Sequence, residues 1–432
     1  MDKALTIFVP HCSDLLTDYL PHGDGLIAHG FITHLARRGH VLHVAVRAAR
    51  LREPLHPNVT MYNIPLRCSG RISQRLEYMF RVRTLLQELG KKIDFNLIHQ
   101  LNPVFAGVSL SLSGSGLPLV LGTYVARWPH NLDSVNSKGW GNRALALCRD
   151  AVARLQQRQA AALLLTTPAA SNRLPSPTVL RNRIHFLPHG IDSELFSPVS
   201  AGESSDGSFT ERALQPILFF ANVLECKGIF TLIDAFPAVA QEFSSIRLRI
   251  AGDGPDLAEA KRRVARLGCA DRVEFLGRQE RGDAPGLYRN CSVYCLPSFG
   301  EPYATTIIEA MSCGKPVVVT DSGGSPHIVS PEGAKCIPAG NASALSNALV
   351  ELLRDPERRA AMGRHNRRVV ETTMSWDRVT TKLESIYEVT LSRCKTNHPT
   401  DDEFQTIKRA RIARQISRRS RCKYPVSLWS GR

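Results

Sequence analysis

The sequence lacks the features that would place it in a membrane, disulfide-rich or zinc-binding class. No apolar run approaches the ~18 residues of a transmembrane helix. The 11 cysteines are scattered singly, without a CxxC pair or a zinc-like cluster of histidine and cysteine. An odd number of cysteines without framework spacing fits reduced thiols better than disulfides. We therefore expect a cytoplasmic globular protein. The apolar run near the N-terminus is too short for a signal peptide and predicts a first strand instead.

Positive charge is in excess, with a formal net charge of +16. Residues 401–432 contain nine lysines and arginines against three acidic residues, so about six of these net charges lie there. We interpret residues 393–432 as a basic tail that is either solvated or in peripheral contact with the inner face of an anionic membrane. No nucleic-acid motif or aromatic-rich basic patch accompanies the charge, so no specific nucleic-acid partner is expected.

Short apolar runs alternate with helical patterns along the whole chain, which is typical of parallel sheets covered by helices on both faces. The strand candidates are residues 4–9, 41–46, 59–64, 95–100, 118–123, 161–166 and 183–188 in the first half, and 216–221, 246–252, 272–277, 292–297, 316–320 and 335–338 in the second. Helical patterns include residues 25–39, 137–160, 228–243, 256–268, 305–314 and 342–355. The alternation predicts an α/β protein with two doubly wound parallel-sheet domains. Ligands of such sheets bind beyond the carboxyl ends of the strands, and here also in the cleft between the domains.

A change in amino-acid composition indicates where the two domains meet. Residues 197–215 are rich in serine, glycine and acidic residues and have no apolar period, which indicates a linker. The linker separates a first domain, residues 1–196, from a second domain, residues 216–374. Residues 375–392 have the amphipathic pattern of a further helix, and the basic tail follows.

Lys227 lies where an apolar strand ends and a helix begins, in FANVLECKGIF (220–230). The free N–H groups at a helix N-terminus and one lysine together favour an anion. A solvated loop lysine explains the same residues equally well.

A second loop of this kind is IAGDGPD (250–256), where Gly252 and Gly254 follow a buried strand. Glycine allows a ligand to approach the backbone closely, which makes both residues candidates for ligand binding. An ordinary tight turn between strand and helix also requires glycine.

The third loop, SFGEPYATTIIEAM (298–311), places Glu301 before a predicted helix and Glu309 inside it. Thr306 and Glu309 match the spacing of a capping box, so Glu309 could serve only to close the helix start. Glu301 has no such role, and it follows Gly300 at the carboxyl end of a strand. A ligand that carries both hydroxyls and phosphates would suit this arrangement, because carboxylates accept from hydroxyls and backbone amides hold phosphate.

The same blocks carry a specific resemblance. The second half is similar to the retaining nucleotide-sugar glycosyltransferases of family 4, whose GT-B architecture has two Rossmann-like domains facing a deep cleft. The matching residues are KG (227–228), GDGP (252–255), VEFLG (273–277) and, above all, the E-x7-E block SFGEPYATTIIEAMSCGKPVV (298–318). PHGID (188–192) and the Trp-Asp pair at 376–377 match further family positions, so the resemblance covers roughly residues 4–391.

The resemblance implies roles for individual residues. Glu309 would bind the ribose hydroxyls of the nucleotide, Glu301 the hydroxyls of the donor sugar, and Lys227 the diphosphate. The amides near Tyr303 and Ala304 would also hold the diphosphate. The remaining expected donor-binding residues are Gly300, Asn222, Gly252, Gly254, Arg278 near the base, and Gly23 and Gly25 in a glycine-rich loop of the first domain.

Three departures from the family pattern concern charge and the reacting centre. Asn222 stands where the family usually has an arginine, and Tyr303–Ala304 replaces Phe-Gly. Tyr124 takes roughly the place of a histidine near the reacting centre, and His130 is offset from it. Arg127 is a candidate source of the missing positive charge.

The function implied is transfer of a sugar from a nucleotide-diphosphate sugar to the hydroxyl of a sugar, lipid-linked or small-molecule acceptor, with retention of anomeric configuration. No DxD-like acidic pair stands out, so no metal and no cofactor are expected. The alternatives are a GT-B nucleotide-sugar epimerase or phosphorylase, and a non-catalytic protein that binds nucleotide sugars.

Overall fold

A computed structural model describes residues 4–20, 23–105, 107–128, 140–174, 176, 178, 180–198 and 214–397. His130, most of the predicted linker and residues 398–432 of the predicted tail lie outside the described residues. Among the described residues, no helix combines the length and hydropathy needed to cross a bilayer.

The first half is built on a parallel seven-stranded sheet. Its strands and helices are β1 (Thr6–Val9), β2 (Leu16–Thr17), β3 (Val41–Val46), β4 (Ala49–Arg50), β5 (Val59–Asn63), β6 (Leu97–Gln100), β7 (Leu119–Tyr124), β8 (Ala162–Leu165), β9 (Ile184–Phe186), α1 (Gly23–Arg37), α2 (Arg71–Leu89) and α3 (Trp140–Gln159). The strand order is β5-β3-β1-β6-β7-β8-β9, and β2 and β4 form a separate parallel pair. Runs such as VLHVAV and ALLL are almost wholly buried, as expected for strands covered on both faces.

The second half contains a parallel six-stranded sheet with the order β12-β11-β10-β13-β14-β15. Its elements are β10 (Ile217–Phe220), β11 (Leu248–Ala251), β12 (Val273–Gly277), β13 (Val293–Leu296), β14 (Val317–Thr320), β15 (Ala334–Ile337), α4 (Ile229–Glu242), α5 (Leu257–Arg266), α6 (Ala284–Arg289), α7 (Thr305–Ser312), α8 (Ala342–Arg354), α9 (Pro356–Val369) and α10 (Trp376–Asn397). Every strand candidate from the sequence overlaps one of these strands or one of the first half. The predicted fold class, two doubly wound parallel-sheet domains, is confirmed.

Each sheet has a point where the strand order reverses direction. In the first half it lies between β1 and β6, and in the second half between β10 and β13. Loops that leave neighbouring strands at such a point diverge to opposite faces and open a crevice, where ligands of these sheets bind. The loops after β10 and β13 are those that carry Lys227 and Glu301.

The chain passes between the halves twice, and the two passages are hydrogen-bonded to each other. Ile191 donates to Met374 (2.9 Å), and Trp376 donates to Ile191 (3.2 Å). The Trp376 indole lies so close to Gly30 and Gly190 that a Cβ at either position would come within 2.3 Å or less of the ring. Only glycine fits on either side of this tryptophan.

Helix α10 packs on the first half. Its apolar residues Val379, Leu383 and Ile386 belong to the core that surrounds β1 and α1. Glu384 accepts two hydrogen bonds from the Arg38 guanidinium (2.9 and 2.6 Å) and lies 2.9 Å from His40 Nε2. Burial acts to raise the pKa of Glu384, but the bonds from Arg38 and His40 outweigh it and lower the pKa.

Candidate functional site

Lys227 and Glu301 form an ion pair at the reversal point of the second sheet, with Lys227 Nζ donating to Glu301 Oε2. Lys227 ends a short 3-10 turn after β10, and Gly228 then starts α4 with a positive φ of 77°. A Cβ at Gly228 would lie 1.9 Å from the Pro297 carbonyl oxygen. Close packing of the two loops therefore requires glycine there and brings the lysine to the glutamate.

Trp128, from the first half, lies over the other side of the lysine. Lys227 Nζ is 5.0 Å from the centroid of a Trp128 ring, within the range of a cation–π interaction. The ammonium is thus held between a carboxylate of one domain and an aromatic face of the other. Trp128 was not predicted as a site residue.

Glu309 is buried on α7 and accepts a 2.8 Å hydrogen bond from the Tyr288 hydroxyl. Burial raises the pKa of Glu309, while the nearby Arg281 and the bond from Tyr288 lower it in part. A buried carboxylate whose partner is a single hydroxyl retains acceptor capacity for further hydroxyls.

The predicted capping box at Thr306 and Glu309 is wrong. The residue that caps α7 is Ala304, with no side-chain hydrogen bond, and Glu309 lies beyond the first turn. Thr306 instead accepts a 2.7 Å bond from Tyr294. The N-terminus of α7 is therefore free of a competing side-chain cap, and its backbone N–H groups favour an anion.

A glycine pair after β14 supports the Glu301 loop and was missed by the sequence reasoning. Gly323 has a positive φ of 74°, and a Cβ there would lie 2.5 Å from the Glu301 carbonyl oxygen. Gly324 donates to the same oxygen at 2.8 Å. The Gly-Gly dipeptide at the carboxyl end of a strand was the available signal.

Gly252 and Gly254 are explained by packing. A Cβ at Gly252 would lie 1.9 Å from the Ala221 carbonyl oxygen, and one at Gly254 would lie 2.3 Å from that of Val223. These glycines hold the loop that contains Asn222, which is exposed at the end of β10. Their predicted contact with a ligand stays a prediction.

The other predicted donor-binding residues lie in two loops and at the start of a helix, where Gly23 and Gly25 were expected in a loop. Arg278 is exposed directly after β12, and Gly300 takes a positive φ of 89° before Glu301. Gly23 and Gly25 lie in the first turn of α1, where Gly23 has open space around it.

Tyr303 reaches the first half at His189. The His189 backbone N–H donates to the Tyr303 hydroxyl (3.1 Å), and the two ring centroids are 4.6 Å apart. His189 Nε2 lies 2.6 Å from Thr123 Oγ1. Burial lowers the pKa of His189 to about 3, so this histidine is neutral.

Tyr124 does not lie at the predicted reacting centre. Its side chain is buried in the core of the first half, near Gln156 and Gln157 of α3, because alternate residues of β7 face opposite sides of the sheet. Arg127 lies 3.6 Å from Asp150, which already balances its charge. Thr123 and His189 occupy the position expected for Tyr124.

A cavity of about 330 Å³ opens at the reversal point of the first sheet. It runs between the start of α1 and the loops that follow β1, β6 and β7. Its lining includes His11, Asp14, Asp24, Arg75, Phe105, Thr123 and His189. Among the described residues, no group of three His, Cys, Asp or Glu side chains is placed to hold a metal ion.

Family comparisons agree with this geometry. The sequence profile described as Glycosyl transferases group 1 matches residues 208–369, and the profile described as Glycosyl transferase 4-like domain matches residues 25–190. Together they include all strands of the second sheet and all but β1 of the first. The chain belongs to the group 1 glycosyl transferases.

This glycosyltransferase has curated relatives that are named as mannosyltransferases. It is 24% identical over 321 residues to an MMP alpha-(1->4)-mannosyltransferase of Mycolicibacterium hassiacum, covering 73% of this chain and 75% of the relative. It is 31% identical to a GDP-mannose-dependent monoacylated alpha-(1-6)-phosphatidylinositol monomannoside mannosyltransferase of Corynebacterium glutamicum, over 47% of this chain. That match spans 55% of the Corynebacterium protein, so only about half of its length is compared.

Solved structures show the same GT-B fold. A sucrose-phosphate synthase from Thermosynechococcus elongatus aligns with a TM-score of 0.68 and 20% identity, covering 90% of this chain and 100% of that one. The Anabaena protein HepE in complex with UDP aligns with a TM-score of 0.68 and 18% identity, covering 89% and 100%.

Proposed function

We propose that this glycosyltransferase moves a sugar from a nucleotide-diphosphate donor to an acceptor hydroxyl, with retention of anomeric configuration and without a metal ion. The observation that carries the proposal is the meeting of Lys227 and Glu301 beside the free N-terminus of α7. This places one cation, one carboxylate and backbone amides within one crevice, which suits a ligand with phosphates at one end and sugar hydroxyls at the other.

The Lys227 ammonium would serve as the electrostatic catalyst. When the bond between the anomeric carbon and the diphosphate oxygen breaks, negative charge grows on the leaving group. A cation and helix amides that are already in place stabilise that charge without reorganisation. Before the donor binds, Glu301 and Trp128 hold the ammonium in position.

The two glutamates would hold different parts of the donor. Glu309, buried and bonded by Tyr288, would accept from the ribose hydroxyls. Glu301 would accept from the sugar hydroxyls beside the anomeric carbon and so position the sugar. We assign Glu301 no nucleophilic role, since retaining glycosidases pair their nucleophile with a second carboxyl that acts as acid, whereas Glu301 pairs with the Lys227 ammonium.

The names of the relatives support a choice of candidate donors. The Corynebacterium protein is named for GDP-mannose, and the HepE structure contains UDP. A thermal-shift screen of GDP-, UDP- and ADP-sugars identifies the base, because a bound ligand stabilises only the folded state. The first-half cavity is the expected place for the acceptor.

The test is a transfer assay with the donor that the screen selects. NMR of the product gives the anomeric configuration, and retention predicts the same configuration as in the donor. Addition of EDTA tests metal independence, and unchanged turnover is expected. Nucleotide release that does not depend on any acceptor would favour the epimerase or phosphorylase alternative. Donor binding without any turnover would favour a non-catalytic sensor.

We also propose a cytoplasmic location with peripheral contact at the inner face of the membrane. The charge of the predicted tail motivates this proposal. Cell fractionation of the full chain and of a chain ending at residue 397 tests it, with release of the shorter chain from membranes as the expected result.

A further inference from the structure

The first-half cavity has two different ends. Thr123 and His189 form one end, here called the hinge end, and His189 contacts Tyr303 next to Glu301. His11, Arg75 and Phe105 form the other, here called the basic end. A molecule lying along the cavity would have one part near the donor site and another part near the guanidinium.

Arg75 at the basic end carries a positive charge that its neighbours do not balance. Its guanidinium lies 4.3 Å from the centroid of Phe105, and that of Arg47 lies 5.7 Å from the same ring. Burial lowers the pKa of Arg75, and the charges of Arg149 and Arg47 lower it further, against the opposing effect of Asp14.

The carboxylates near the basic end are already engaged. Asp14 accepts a 2.7 Å hydrogen bond from Arg47, and Asp24 accepts a 3.4 Å bond from Asn102. Among the described residues, no carboxylate lies within ion-pair distance of Arg75 or Arg149. The Arg75 guanidinium at the basic end therefore has no ion-pair partner among the described residues and is available to an anion.

His11 gives an independent indication of a ligand. The residue is 1% exposed and lies flat against Phe105, with ring centroids 4.6 Å apart. Neither ring nitrogen makes a hydrogen bond within the described residues, and Nε2 is 3.8 Å from the nearest Asp14 oxygen. Buried polar groups in folded proteins are nearly always bonded, so an unbonded imidazole that lines a cavity marks a place for a ligand atom.

We propose that the acceptor carries a phosphate or carboxylate group, which Arg75 and His11 bind at the basic end while a hydroxyl is presented at the hinge end. This inference rests on the proposed function. In the transfer, the acceptor oxygen bonds to the anomeric carbon and the bond from that carbon to the diphosphate breaks. The leaving diphosphate takes the bonding electron pair, and it also accepts the proton of the acceptor hydroxyl.

The experiment compares matched acceptors that differ only in the phosphate. The pairs are fructose with fructose 6-phosphate, and myo-inositol with inositol 1-phosphate. Vesicles of phosphatidylcholine with and without phosphatidylinositol supply the same phosphate chemistry on a lipid. This arm is included because Ile72, Leu76 and Phe80, on the same helix as Arg75, are all at least 60% exposed. The readout is the ratio of kcat/KM between the phosphorylated and the parent acceptor. At least one pair is expected to favour phosphate by about tenfold or more, as for a hydrogen bond to a charged group.

Variants of α2 connect the preference to the basic end. Arg75→Gln is expected to lower the phosphate preference about tenfold, and Arg75→Lys to retain part of it. Arg83→Gln, which removes an exposed arginine of the same helix, is expected to leave the preference as in the wild type. Because a preference is a ratio, a variant with less folded protein lowers both rates and does not imitate the effect.

The outcomes separate the two proposals. Turnover with no phosphate preference in any pair, or a preference that Arg75→Gln leaves intact, overturns the anionic acceptor and leaves the proposed function standing. Failure of every nucleotide sugar to bind or to be turned over overturns the proposed function and this inference with it.

Discussion

The Tyr288 hydroxyl donates to the Glu309 carboxylate across 21 residues of sequence, and Glu309 does not cap the start of α7. Removing the carboxylate should weaken nucleotide binding. We expect Glu309→Ala to cost about 1.5–3 kcal/mol of nucleotide binding free energy, the range for hydrogen bonds to charged groups. Glu309→Gln should cost less, since its amide oxygen still accepts a hydrogen bond.

Isothermal titration calorimetry measures nucleotide binding by both Glu309 variants. The control is Glu88→Ala, which removes an exposed carboxylate of α2. Wild-type affinity in both Glu309 variants would remove Glu309 from the site.

Loss of the Lys227 ammonium should affect the rate of transfer more than donor binding. We expect Lys227→Ala to lower kcat by about 10²–10³, similar to the loss of one oxyanion-hole donor. Lys335→Ala is the matched control, because Lys335 also pairs with a glutamate but does so in an exposed pair on β15. Steady-state kinetics gives kcat for both variants. An unchanged kcat in Lys227→Ala would contradict the role assigned to Lys227.

Gly228 allows a test of loop packing that separates backbone strain from steric overlap. Gly228 and Gly268 have similar positive φ values of 77° and 68°, but a Cβ at Gly228 meets the Pro297 oxygen, whereas at Gly268 nothing lies within 4 Å. We expect Gly268→Ala to destabilise the fold by about 1–2 kcal/mol from φ strain alone. Gly228→Ala should destabilise it by more and also reduce kcat, because Lys227 moves with the loop. Chemical denaturation and kinetics measure the two effects, and equal losses of stability in the two variants would show that loop contact is unimportant.

The pH dependence of stability should show a contribution from His99. This buried residue lies 2.6 Å from the Tyr387 hydroxyl and 2.9 Å from the Gly122 carbonyl oxygen, and burial lowers its pKa from 6.5 to about 4, against the raising effect of Gly122. The unfolded chain binds the proton more strongly, so stability is lost as the pH falls from 6.5 towards about 4. The loss attributable to His99 is on the order of 3 kcal/mol.

The variant His99→Gln keeps an acceptor and a donor but cannot be protonated. Its free energy of unfolding should therefore fall less than that of the wild type between these two pH values. His327→Gln, at an exposed histidine, should follow the wild type. Parallel pH curves for His99→Gln and the wild type would contradict the assignment.

Much of the fold was predictable because its signals are local. Buried parallel strands appear as continuous apolar runs, and the spacing of Lys227, Glu301 and Glu309 after such runs indicated one shared crevice. Helices α2 and α9 were not among the predicted helices. Both carry many charged residues, which weakens the apolar period.

The rest of the site depends on contacts between distant residues and on side-chain direction. The capping box failed because a matching spacing does not say where the helix begins, and α7 begins one residue before Thr306. The prediction for Tyr124 failed because successive side chains of β7 point to opposite faces of the sheet. Thr123 faces the cavity, and Tyr124, one residue later, faces the core. Trp128 and Tyr288 were not predicted, because their partners, Lys227 and Glu309, are distant in sequence and no local motif indicates these contacts.

The packing of α10 on the first half has a consequence for how the protein is made. A ribosome releases the residues of β1 and α1 before those of α10, but the core around β1 and α1 includes Val379, Leu383 and Tyr387. Domains near the N-terminus generally fold during synthesis. Here the core of the first sheet is complete only after the second half and α10 have been translated. The first half therefore cannot finish folding before the second half has been synthesised. A message that ends early, before codon 376, would yield a polypeptide whose first domain exposes an apolar surface to chaperones and proteases.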